Sequence, residues 1–176
     1  QHPYIFSGVG AADKIILLIR FGVMYILFPM VTIALLKGLG FIEPIQLKTQ
    51  KDRIIPYIAC GVYYFWMWYV FRNQPQIPNE LVKLSFAIFI ASSAGLMANI
   101  YMKISMHGIG AGVMLAFIML LGLTQTVNLN VYIAVALLIA GVVCTSRLIV
   151  SDHSQKEVYG GLLLGILCQA VSWYMM

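Results

Sequence analysis

Six apolar blocks, each separated from the next by a polar turn, constrain this chain more than any other feature. They run from Ile15 to about Leu36, Ile54 to Phe71, about Leu81 to Met102, about Ile109 to Leu123, Val131 to Thr145 and Val158 to Met176. A hydrocarbon core about 30 Å thick is crossed by a helix of roughly 20 residues. In lipid the backbone must satisfy its own hydrogen bonds, which leaves helices or a closed barrel. The blocks are too long for barrel strands and lack strict alternation. The expectation is an all-α, polytopic membrane protein: residues 1–176 as a single bundle of six transmembrane helices.

Composition agrees. Of the 176 residues, 61% are hydrophobic and only 10% charged, against about a quarter charged in soluble domains. The net charge of +5 fits anionic headgroups, phosphate substrates or the excess of Lys and Arg on the inner side of membranes. No nucleic-acid partner is expected. Cys60, Cys144 and Cys168 lie within apolar runs and read as small buried hydrophobes. No positively charged leader followed by a small-residue cleavage site is visible, so the spans themselves are expected to direct insertion.

Counting crossings sorts the polar segments. The segment 37–53, "KISMHG" (Lys103 to Gly108) and "SRLIVSDHSQKE" (Ser146 to Glu157) fall on one face. The turns "RNQPQIPNE" (Arg72 to Glu80) and "TQTVNLN" (Thr124 to Asn130) fall on the other. Lys48, Arg53, Ser105, His107, Arg147, His153 and Glu157 therefore share one face. Topological bias can gather Lys and Arg in this way, but it has no reason to gather both internal histidines.

Their chemistry suits phosphoryl transfer. If the sixth helix starts near His153, Glu157 follows one turn later on the same face. A carboxylate there fixes the imidazole tautomer and leaves Nε2 as nucleophile or base. Arg147 offers a planar fork for phosphate oxygens. His107 opens the fourth helix, with Gly108 behind it, where backbone N–H groups can hold an anion. A second histidine supplies the proton for a leaving oxygen. No metal or other cofactor is demanded.

At these residues the chain resembles the type 2 phosphatidic acid phosphatase superfamily. Ser146-Arg147, five residues, His153, three residues and Glu157 resemble its third signature, with Glu157 where the family has Asp. "ISMH", Ile104 to His107, resembles the second signature, Pro-Ser-Gly-His, with Met106 in place of Gly. "KTQKDRIIP" resembles the first, Lys, six residues, Arg-Pro: Lys48 and Pro56 match, Ile55 replaces the Arg, and Arg53 stands two positions earlier.

The resemblance implies a hydrolase. His153 would form a phosphohistidine, Glu157 would orient it, and His107 would protonate the leaving group. Arg147, Lys48, Ser105, Ser146, Arg53 and Gly108 would hold the phosphate. The implied substrates are lipid phosphates and diphosphates, and the implied setting is the bacterial inner membrane with the site facing the periplasm. The alternative is a catalytically impaired relative that binds phosphorylated lipid without cleaving it. One added methylene at Glu157 must be absorbed by a shift, and a displacement of about 1 Å can cost on the order of a hundredfold in rate. A transporter or channel is disfavoured, because the spans hold almost no ionisable groups at mid-membrane depth. The glycine pairs 108/112 and 161/165 fit small-xxx-small helix packing.

Overall fold

The computed structural model describes residues 10–41, 50–125, 128–150 and 154–176, with backbone alone at 11 and 50–53. These residues form helices joined by turns, with no strand among them. The elements are α1 (Ala11–Gly22), a π-helical turn (Val23–Leu27), α2 (Phe28–Gly38), α3 (Gln50–Arg72), α4 (Asn79–Tyr101), α5 (Met106–Thr124), α6 (Asn130–Val150) and α7 (Gln155–Met175). Six helices among the described residues are long and apolar enough to cross a membrane, α1 to α2 counting as one from Ala12 to Gly38.

Local sequence sets most of these boundaries. Pro29 lacks an N–H and crowds the carbonyl four residues back. That carbonyl belongs to Tyr25, and the widened π turn absorbs the conflict without ending the helix. The span stops where Gly40 takes a φ of 77°. Phe41 N–H then reaches Leu36 O and Gly40 N–H reaches Lys37 O, closing the helix end in a Schellman motif. Ser105 and Ser154 cap α5 and α7.

Three boundaries differ from the sequence expectation, each for a local reason. α3 is already helical at Gln50, so Pro56 lies inside the helix instead of in its first turn, and Arg53 belongs to a helix instead of a loop. α6 continues past Thr145 to Val150, which puts Ser146 and Arg147 on its last turns. There the Ser146 hydroxyl donates to the Val143 carbonyl at 2.8 Å, and Leu148, Ile149 and Val150 extend the apolar run. α7 begins at Gln155 with Ser154 as its cap, so the helix does not itself place residue 153 one turn before Glu157.

The tightest helix pair is α5 against α7. Gly108 and Gly112 face Gly161 and Gly165 so closely that added methyl groups would collide with backbone. A Cβ at Gly108 would stand 2.7 Å from the Val158 carbonyl oxygen, and one at Gly161 2.7 Å from that of Ser105. At Gly112 and Gly165 it would overlap the Leu162 and Ile109 carbonyls. Small residues at the contact let the two backbones approach closely, so dispersion acts along the length of the pair.

α4 lies across this pair, burying Ala87 and Ala91 against Ile109, Val113 and Cys168. α3 packs on the far side of α4, and the π turn with α2 packs on α3, with Phe21 of α1 5.9 Å from the Phe71 ring. α6 lies on α5 through Ala136 and Ala140 against Ala111 and Leu115, with Leu162 of α7 packed beside them. The outward faces are hydrocarbon: Leu138 is 69% exposed and Val142 68%. Continuous apolar surface of this kind is unstable in water and normal in lipid. All three cysteines are buried.

Candidate functional site

Hydrogen bonds at the helix ends establish which polar groups share an end of the bundle. The Ser105 N–H, in the turn between α4 and α5, donates to the Glu157 carbonyl in the first turn of α7 at 3.1 Å. Three residues separate α6 from Ser154, so the last turn of α6 arrives at the same place. His107 in the first turn of α5, Arg147 in the last turn of α6 and Glu157 in the first turn of α7 therefore lie at one end. His107 is exposed, while Arg147 and Glu157 are half-buried.

Two of the expected phosphate ligands also serve the fold. Ser105 is fully buried, and its hydroxyl accepts the Gly108 N–H at 3.2 Å. This is an N-cap, supplying a partner to one of the donors that a helix start leaves open. Gly108 is glycine because α7 passes against it. Ser146 is half-buried, with its hydroxyl turned back to its own helix.

Glu157 also has a structural task. Its Oε2 accepts the Ser154 N–H at 3.2 Å, and Ser154 Oγ accepts the Glu157 N–H at 3.4 Å. These two bonds form a capping box, whose sequence signature, Ser-x-x-Glu, is present in "SQKE". The residues expected to be nucleophile and phosphate ligand, His153 and Lys48, lie outside the described residues, and Arg53 is described by its backbone alone, in the first turn of α3.

The opposite end is knitted differently. Arg20 Nη1 donates to Gln74 Oε1 at 3.4 Å, and Gln125 Nε2 to Glu80 Oε1 at 3.4 Å. Arg72 lies over the Trp68 ring at 5.5 Å and Lys83 over the Trp173 ring at 4.6 Å. The Ser172 hydroxyl donates to the Lys83 carbonyl.

Sequence reasoning missed a cavity. α3 and α5 each pack on α4 but, among the described residues, do not pack on each other. Between them lies a cavity of about 420 Å³. Tyr57, Cys60 and Tyr64 form one wall, and Met106, Gly110 and Phe117 the other. One signal for it was present in the glycine pattern. At about 100° per residue, Gly110 points some 200° away from Gly108 and Gly112 cannot share its face. Gly108 and Gly112 serve the contact with α7, whereas a Cβ at Gly110 would meet nothing within 4 Å.

Comparison with family models, with curated proteins and with solved structures finds no match for this chain.

Proposed function

We propose that this is a multi-pass membrane phosphatase of the type 2 phosphatidic acid phosphatase kind, acting on a lipid phosphate or diphosphate. The observation that carries the reading is the convergence of three helix ends. The start of α5 is hydrogen-bonded through Ser105 to the start of α7, beside the end of α6. His107, Arg147 and Glu157, far apart in sequence, thereby belong to one end of the bundle.

In this reading Nε2 of His153 attacks phosphorus while the bond to the lipid oxygen breaks. His107 gives that oxygen its proton, and the lipid leaves as an alcohol or, from a diphosphate, as a monophosphate. Water then attacks the phosphohistidine, His107 takes its proton, and the P–N bond breaks to release inorganic phosphate. Arg147, with Lys48 and Arg53, balances the charge on the phosphoryl oxygens. Glu157 orients the His153 ring. Ser105, Ser146 and Gly108 shape the helix ends that carry these groups. The site is assigned to the periplasmic side of a bacterial inner membrane.

One observation favours a second reading, a lipid-phosphate binder without turnover: a carboxylate oxygen of Glu157 is engaged by its own helix cap. Phosphate release from detergent-solubilised protein, assayed with phosphatidic acid and with a prenyl diphosphate, separates the two. The enzyme releases phosphate, and His153→Ala lowers the rate by at least about a thousandfold. Tight binding of either lipid by wild type with no phosphate released establishes the binder.

A further inference from the structure

The turn between α4 and α5 is fixed at three points. Met102 N–H donates to the Ala98 carbonyl at 2.9 Å. Ile104 is 3% exposed and enters the core with Ala91, Ile109 and Cys168. Ser105 N–H reaches the Glu157 carbonyl, and the Ser105 hydroxyl accepts from the Gly108 N–H. Between these anchors stands Lys103, half-buried.

The anchors settle where its charge can go. Met102 and Ser105 are both extended, and two residues of extended chain span at most about 7 Å. The Lys103 Cα therefore lies within about 7 Å of Ser105, which touches the first turn of α7 and precedes His107 by two residues. From there a flexible four-carbon stem carries the ammonium. Its range covers the end of the bundle where His107, Arg147 and Glu157 stand, and the opposite end is a helix length away.

We propose that Lys103 binds the phosphate together with Arg147, as the cation that the α4–α5 turn contributes to the site. The proposal rests on the function proposed above and adds to it a phosphate ligand on the same turn as the Ser105 cap.

Charge is one reason. A phosphate monoester carries about −1.5 to −2 at pH 7. Arg147 supplies a single positive charge, and the Glu157 carboxylate opposes it at the same end. Burial is the other. Lys156, next to Glu157 on α7, is exposed. Salt screens such a charge, and fixing its long side chain on a ligand costs entropy. Lys103 has part of its stem laid on protein, so its charge is less screened and less freedom remains to be lost.

None of the three anchors uses the Lys103 side chain, so the charge can be removed without untying the turn. Lys103→Met keeps most of the stem and removes the ammonium. The measurements use the full-length protein in lipid nanodiscs: equilibrium binding of inorganic phosphate, KM and kcat for phosphate release from phosphatidic acid, and melting temperature. Lys103→Met is expected to weaken phosphate binding and raise KM by about tenfold to a hundredfold, the worth of one charge-assisted hydrogen bond. Its phosphate binding is also expected to depend less on ionic strength than that of wild type. Lys103→Arg recovers most of the binding, and Lys156→Met changes it less than twofold.

Wild-type phosphate affinity in Lys103→Met overturns the proposal, and so does an equal loss in Lys156→Met. A lower melting temperature in Lys103→Met, with unchanged phosphate binding by the folded fraction, overturns it as well and assigns the lysine to the fold. Release of phosphate by Lys103→Met at the wild-type KM removes this ligand and leaves the phosphatase. Phosphate binding that depends on Lys103 in a protein that releases none keeps the ligand and removes hydrolysis.

Discussion

At the end of the bundle where α3 gives way to α4, the charges are tied to the fold. Arg72 and Lys83 lie over tryptophan rings, Glu80 accepts from Gln125, and Arg20 reaches from α1 to Gln74. At the other end the helix starts are held close to the backbone by the Ser105 cap, the Ser154–Glu157 capping box and the Ser105–Glu157 backbone bond. His107 stands in the first turn of a helix that Ser105 caps, and it is exposed. One end uses long polar side chains as anchors. The other caps its helix starts with serines, and His107, Arg147 and Glu157 stand on the turns beside those caps.

The comparison breaks or sharpens under mutation. The largest effect is expected for His107→Ala: phosphate release falls by about 10²–10⁴-fold, the usual worth of a general acid, far beyond any accompanying change in the fraction of folded protein. If Lys83→Ala or Glu80→Gln, at the anchored end, lowers release as much, the division of labour between the ends is wrong.

Next comes Gly112→Leu. The side chain would drive into the Leu162 carbonyl, and separating α5 from α7 should cost about 3 kcal/mol or more, read as lost thermal stability in detergent. Gly110→Leu, two residues away on the same helix, should cost little, which shows that the glycines divide between packing and cavity.

Ser154→Ala removes the capping box and should lower stability by about 1 kcal/mol, with Ser154→Asp restoring it. A fall in phosphate release in the alanine variant beyond the stability loss, also rescued by aspartate, would tie the orientation of Glu157 to catalysis. The smallest effect belongs to Trp173→Leu, which removes the ring beneath Lys83 and should cost about 0.5–1 kcal/mol of stability with no change in release.

The six helices could be read from the chain because hydropathy over about 20 residues is a strong signal and the polar turns between them are short. The sharing of one end by the polar segments followed from counting alone, and the Ser105–Glu157 bond agrees with it. Helix ends were harder. Ser146 and Arg147 looked like loop residues because they are polar, yet α6 carries them, since a serine can bond back to its own helix and three apolar residues follow. The Ser154–Glu157 capping box was present in "SQKE" and was passed over for the catalytic pattern that overlaps it. The cavity had only one faint trace, a glycine out of phase with its neighbours.

The order of residues by itself determined that this chain folds as a set of long apolar helices and which polar segments share an end. Both follow from apolar blocks of about helix-spanning length and from the parity of antiparallel helices joined by turns. Only the tertiary structure decided which helices touch. Glycines at 108, 112, 161 and 165 let α5 approach α7 to backbone contact, so α5 packs there and stands apart from α3, and the gap left between them is the cavity. That choice depends on the fit of two surfaces distant in sequence, which no local pattern of residues encodes.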